Sequence, residues 1–240
     1  MKWATLTGFT FLFGLFAQAT SITQDFTTFG GVQSGSGFSN VRTYTDNGVT
    51  ITITAWGVTG NGNTTFQNAN LGQYAGTNLG LGVCNQDEGL NCDSPNHQVD
   101  NANGYDFVLF QFSSLVSGVS ININPYGTWD RSVTYYTGDA ASGLNLDGAT
   151  LAGLSALGLT NMQNNESTVS STGRTVTLIS GAVNSILFGA RVNDPADIPS
   201  YFKISELSAT VSSAPEPASF LLVGGSMIGL AALARRLNRR

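Results

Sequence analysis

Between residues 49 and 54 apolar and hydroxyl side chains alternate without a break, Val49, Ile51 and Ile53 against Thr50, Thr52 and Thr54. A period of two marks a strand with one face buried and the other in water. Similar stretches predict strands at "VTITITAW" (49–56), "DFVLFQF" (106–112), "VSININ" (119–124), "SVTYYT" (132–137), "RTVTLI" (174–179), "SILFGARV" (185–192) and "YFKISELSATV" (201–211). "DFTTF" (25–29) and "VRTYT" (41–45) add two weaker ones, and Gly, Asn and Asp fill the gaps between them. One segment has a helical period instead: "DGATLAGLSALGL" (147–159) places Leu151, Leu154 and Leu157 three apart, with Asp147 positioned to cap the first turn. The pattern predicts an all-β domain, an antiparallel two-sheet β-sandwich of jelly-roll type with one short helix closing an end.

The two ends of the chain follow a different pattern. Lys2 precedes an apolar run from Trp3 to Ala17, and Ala17-Gln18-Ala19 puts small side chains at the −3 and −1 positions of a cleavage site. Residues 1–19 therefore read as a secretory signal peptide, with the mature chain starting at Thr20. The domain is expected over 20–211 and a linker over 212–217. Residues 218–234 carry no charge; as a helix they span about 25 Å, enough to cross a bilayer with slight thinning. A basic tail, 235–240, follows with Arg235, Arg236, Arg239 and Arg240, and clustered positive charge marks the cytoplasmic side.

Pro215-Glu216-Pro217-Ala218, a short transmembrane helix and a terminal arginine cluster together resemble the PEP-CTERM sorting signal of bacteria that export polysaccharide. The resemblance covers only about the last 26 residues. It implies recognition of Pro215, Glu216 and Pro217 by an exosortase, which removes the tail, with the helix and arginines acting as a retention signal. It also implies a Gram-negative source that forms biofilm or floc, and a cell-surface or extracellular-matrix destination. Two prolines fit that role physically, because they stop helix and strand and keep the segment extended for an enzyme at the membrane.

Export changes how the charges and cysteines are read. Residues 20–214 hold five basic side chains, Arg42, Arg131, Arg174, Arg191 and Lys203, against fourteen acidic ones, a net charge of −9. Nucleic acid is excluded as a partner, since phosphate binding needs clustered Lys and Arg. Cys84 and Cys92, the only cysteines, lie eight positions apart and are expected to form one local disulfide in an oxidising compartment.

Chemistry concentrates in residues 81–107, which contain both cysteines, the only histidine, His97, and five carboxylates, Asp87, Glu88, Asp93, Asp100 and Asp106. Carboxylates and Asn side chains in a loop-rich stretch suit a hard cation, and Asp93, Asp100, Asn101 and Asp106 are the expected calcium ligands, although their spacing is not that of an EF-hand. One histidine with two cysteines oxidised to each other does not make a zinc site. Leu79-Gly80-Leu81-Gly82-Val83 followed by His97-Gln98-Val99-Asp100-Asn101 loosely resembles a recurrent loop of PEP-CTERM ectodomains, one that carries no assigned activity.

No Gly-x-Ser-x-Gly elbow and no Gly-rich phosphate loop occurs, so a non-catalytic protein is expected. The leading expectation is an exported surface or matrix protein acting structurally or adhesively with exopolysaccharide. One alternative is a carbohydrate-binding module, with or without calcium dependence, in which Trp56, Tyr74, Tyr126 and Trp129 stack on sugars. The other is a secreted polysaccharide hydrolase using two carboxylates.

Overall fold

The computed structural model describes residues 19–74, 79–90, 92, 97–193, 198–211 and 235. One compact unit spans Thr20–Ser212. Residues 1–18 of the expected signal peptide, Pro215, Glu216, Pro217, the apolar run 218–234, and Arg236, Arg239 and Arg240 lie outside the described residues; Arg235 is helical and exposed. Among the described residues no helix is long and apolar enough to cross a membrane.

The first half of the domain forms β1 (Thr20–Asp25), β2 (Val32–Ser34), β3 (Val41–Asp46), β4 (Val49–Thr59), β5 (Thr65–Asn68), β6 (Asn70–Tyr74), β7 (Gly80–Cys84) and β8 (Val99–Asp100). β9 (Asp106–Pro125), β10 (Val133–Gly138), β11 (Asn161–Asn165), β12 (Arg174–Thr177), β13 (Val183–Ala190) and β14 (Tyr201–Val211) complete it. β9 unites "DFVLFQF" and "VSININ", which the pattern separates. Its first part pairs with β4 and β13, and its second part pairs with β12 and β14. The pattern predicts two separate sheets, whereas the strands form one 14-stranded antiparallel sheet curled through β9. "DFTTF" is loop, since β1 ends at Asp25.

The core lies inside the curl. Ile51, Ile53, Val108 and Phe110 from one half meet Ile121, Ile123, Ile204 and Leu207 from the other. Phe188 of β13 packs edge-on against Phe202 of β14 at 6.2 Å between ring centroids. A second apolar cluster covers the outer face of β4, β9 and β13, where Trp56, Phe107, Leu109 and Leu187 meet Leu146, Leu154 and Leu159. With both faces covered, the start of β9 reads as a continuous apolar run rather than an alternation. The expected helix supplies part of that cover. It is a 3₁₀ helix, Leu151–Leu157, and its cap is Thr150, whose hydroxyl accepts from Gly153 N at 3.1 Å. Asp147 is not the cap; its own N–H donates to Asn145 Oδ1.

Strand register puts the two ends of the domain at one pole. Thr20 pairs with Val211, and Val211 pairs with Val116 at the bend of β9. β14 then runs about 33 Å, at about 3.3 Å per residue, to Tyr201 at the opposite pole. There Tyr201 faces Asp100, while Gly57 faces Asp106. The acid-rich segments therefore sit at the pole of the domain opposite its own first and last residues, Thr20 and Val211.

Candidate functional site

Three elements meet at that remote pole. β7 ends at Cys84, and Asn85 at once reverses the chain: its Oδ1 accepts from Asp87 N at 3.0 Å and Glu88 N at 3.2 Å, an Asx-type turn. Asn85 is fully buried because the bare Cα of Gly57 leaves it room; a Cβ at position 57 would lie 2.6 Å from Asn85 Cβ. Asn85 also ties the turn to the next strand, its Nδ2 donating to Asp106 Oδ1 at 2.9 Å and to Asn103 O at 3.1 Å. Its own N–H donates to Glu88 Oε2 at 3.2 Å. One side chain thus brings Glu88 and Asp106 together, and β8, paired with β14, brings in Asp100.

The result is a group of three carboxylates, Glu88, Asp100 and Asp106, with an oxygen of each lying within 4.8 Å of the others. Asp100 is 1% exposed and Asp106 0%. One oxygen of each acid is held within the protein: Asp100 Oδ1 accepts from Ala102 N at 2.9 Å, Asp106 Oδ1 from Asn85, and Glu88 Oε2 from Asn85. The other oxygens, Glu88 Oε1, Asp100 Oδ2 and Asp106 Oδ2, are buried with no hydrogen-bond partner among the described residues. No Lys or Arg there forms an ion pair with any of the three; the ion pair present is Arg191 with Glu166, at 2.6 Å. Unpaired buried carboxylate oxygens are costly, and such a group could hold a metal ion.

The electrostatics follow from burial and crowding. Burial, then the charge of Glu88, pushes the Asp100 carboxyl up to about 8 from its ordinary 3.8. Burial likewise raises Glu88 to about 7, and Asp106, deepest of the three, titrates well above its ordinary value through burial and then the charges of Asp100 and Glu88. Tyr201 is raised too, by burial and then by the same three acids, which locates the group beside its ring. Without metal the folded protein keeps protons that the unfolded chain releases near pH 4, so its stability should fall as pH rises from about 4 to about 8. Melting of the metal-free protein at pH 5, 6.5 and 8 is expected to give descending Tm. A flat or rising series over that range would contradict the placement of these acids. Lys203 has the opposite sign, since burial lowers it to about 7, so its contribution rises with pH above 7.

Of the expected calcium ligands, Asp100 and Asp106 enter the group and Asp93 lies outside the described residues. Asn101 is used structurally: its Nδ2 donates to Arg191 O at 2.9 Å and its Oδ1 accepts from Ser200 N at 2.8 Å. Glu88, one acid among five in the sequence, becomes a member only through the Asn85 turn. The disulfide Cys84–Cys92 is present, with Cα atoms 5.8 Å apart, and encloses that turn.

The other candidates serve packing. His97 stacks on Tyr74 at 4.5 Å, and Lys203 Nζ lies 2.6 Å from His97 Nδ1, donates to His97 O at 2.9 Å and sits over the Tyr74 ring. Trp56 is buried and donates to Thr54 Oγ1, while Trp129, partly exposed, packs on Tyr201 with ring centroids 4.9 Å apart. No protein-family model, curated protein or solved structure matches the chain, so the chemistry of the site rests on its own residues.

Proposed function

We propose that the chain is an exported bacterial surface or matrix protein whose β domain is completed by one calcium ion held by Glu88, Asp100 and Asp106, and which acts structurally or adhesively with exopolysaccharide. The observation that carries the calcium reading is the set of three partnerless buried oxygens, one from each acid. An all-oxygen donor set selects a hard cation, and three carboxylates from one turn and two strands suit the larger, geometrically tolerant Ca²⁺ better than Mg²⁺, which demands a near-ideal octahedron. The role is structural, because the ligands come from the turn after β7, from β8 and from the start of β9, and one ion would bind all three together.

Burial favours metal over a hydrolase at this site. A glycosidase must let a sugar reach both of its carboxyl groups, whereas Asp100 and Asp106 have essentially no exposed surface. We read the protein as non-catalytic for that reason.

The sorting part of the proposal rests on Pro215-Glu216-Pro217, the apolar run and the terminal arginines, with an exosortase as the processing partner and the membrane holding the tail beforehand. Mass spectrometry of the protein from the extracellular fraction is expected to find a C-terminus near Pro217. An intact Arg240 there would exclude the sorting reading. The calcium reading is tested by thermal melting of the full chain with Ca²⁺, with Mg²⁺ and with neither. Ca²⁺ should raise Tm by several degrees and Mg²⁺ by less, and no response to either would overturn it.

A further inference from the structure

The turn that carries Glu88 lies inside a covalent ring. Cys84 is the last residue of β7 and buried, Cys92 is half-buried, and their disulfide closes the chain around Asn85, Glu88 and Leu90. Outside that ring Asp100 is fixed by β14, and Asp106 by β4 and β13 through the start of β9. Two of the three carboxylates are therefore held by the sheet. The third is held by a loop, and the disulfide is that loop's only covalent closure.

Resting on the metal reading above, we infer that the Cys84–Cys92 disulfide controls the affinity of the site, so that the metal is bound tightly only after the chain has been oxidised. The physical reason is entropic. In the reduced chain the segment after Cys84 must be ordered at the expense of metal binding before Glu88 can serve as a ligand. In the oxidised chain that ordering is already in place. The hydrogen bonds of the Asn85 turn remain after reduction, with Asn70 Nδ2 to Leu90 O at 3.1 Å and Gln86 Nε2 to Asn68 O at 3.2 Å, so the site is loosened rather than dismantled.

The redox step balances as thiol–disulfide exchange. The thiols of Cys84 and Cys92 give up two protons and two electrons to an external disulfide, such as that of a thiol oxidoreductase in the export compartment, which leaves as two thiols. Dithiothreitol drives the reverse reaction in vitro, its two thiols closing to a cyclic disulfide as both cysteines regain their protons. A chain still in the reducing cytosol would then not take up the ion, and loading would follow export.

Reciprocity gives a second consequence. If oxidation tightens metal binding by some factor, bound metal must make the disulfide harder to reduce by the same factor.

The test is calorimetric titration of Ca²⁺ into the full chain at pH 7.5, oxidised and after dithiothreitol, and into the Glu88→Gln protein in both states. Reduction is expected to weaken wild-type Kd by about 10- to 100-fold, the usual range for loss of a group that orients a ligand. In Glu88→Gln it should change Kd by less than about threefold, since the ring then holds no carboxylate. A Cys84→Ser, Cys92→Ser double variant should match the reduced wild type. Saturating Ca²⁺ should also raise the dithiothreitol concentration needed for half-reduction by the wild-type factor. Equal Kd in both redox states overturns the inference and leaves the metal reading intact, and so does an equal loss in Glu88→Gln, which would mean general unfolding. Failure of the oxidised wild type to bind Ca²⁺ would sink the metal reading itself.

Discussion

Asp106→Asn should make the metal-free protein more stable at pH 8 and the calcium-saturated protein less stable than the wild type. The substitution keeps the shape of the side chain, and its amide oxygen can still accept from Asn85 Nδ2, as Asp106 Oδ1 does now at 2.9 Å. What it removes is a charge buried beside Asp100 and Glu88. In the metal-free wild type at pH 8 that carboxyl must either carry an unpaired buried charge or hold a proton that the unfolded chain releases, and the amide relieves the folded state of both costs. With metal present the same charge is a ligand. At about one hundred times Kd, Ca²⁺ should stabilise the wild type by about 2.7 kcal/mol, a rise in Tm of about 5–11 °C for a domain of this size. In Asp106→Asn most of that rise should vanish. The measurement is a pair of melting curves for each protein, with Ca²⁺ and metal-free. A variant less stable than wild type under both conditions, with an undiminished calcium response, would show that Asp106 is held by its hydrogen bond and binds no ion.

Gly82→Ala should be strongly damaging for a single added methyl. Gly82 lies in the middle of β7 with its Cα against the backbone of His97; an added Cβ would fall 2.1 Å from His97 O and 3.2 Å from the Tyr74 ring. That carbonyl cannot simply move away. It accepts from Lys203 Nζ at 2.9 Å, and Lys203 has no exposed surface, so displacing His97 leaves a buried amine short of a partner. The next residue pair adds to the constraint, with Val83 N donating to Gln98 O at 3.3 Å. Overpacking against backbone should cost about 3 kcal/mol, a fall in Tm of about 6–12 °C, and should shift Asp100, two residues beyond Gln98. Gly181→Ala is the control, since a Cβ there meets nothing within 4 Å. If Gly82→Ala melts within a degree or two of Gly181→Ala, the close approach of β7 and the His97 segment is wrong. The same contact accounts for the glycine-rich stretch "LGLGV" standing before the His97–Asn101 loop: the loop lies directly on a strand with no side chain at that point.

Much of the fold was legible in the sequence because alternation reports directly on which face of a strand is wet. β3, β4, β10, β13 and β14 lie where "VRTYT", "VTITITAW", "SVTYYT", "SILFGARV" and "YFKISELSATV" place them, to within a few residues. Besides β1 and the two-residue β8, the strands left unread are of two kinds. β2, β5 and β11 are short and polar, with sequences such as "TFQN" and "NMQNN" that carry no period and become strands only by pairing with a longer neighbour. β6 and β7 are broken by glycine, whose lack of a side chain hides the pattern while permitting the packing described above. The continuity of β9 was hidden for another reason. Residues 113–118 fall between the two predicted stretches, yet pairing continues across them, with a positive φ at Gly118 and register shifts against β13 and β14 that let one strand bend from one half to the other.

For the candidate site, the sequence by itself determined the inventory: five carboxylates and two cysteines within one short stretch, a composition suited to a hard cation and a local disulfide. Which acids converge was decided only by tertiary structure. Asp100 and Asp106 are brought near each other by strands that pair with β14 and β4, far away in the chain, and Glu88 joins them because Asn85, buried against Gly57, turns the backbone toward Asp106. Asn101, adjacent to Asp100 and chemically as apt a ligand, is diverted to the backbone of Arg191 and Ser200. Spacing along a loop does not report such choices, because the partners that make them lie from 21 positions away, as Asp106 from Asn85, to 99, as Ser200 from Asn101, and only the curl of the sheet brings those within reach.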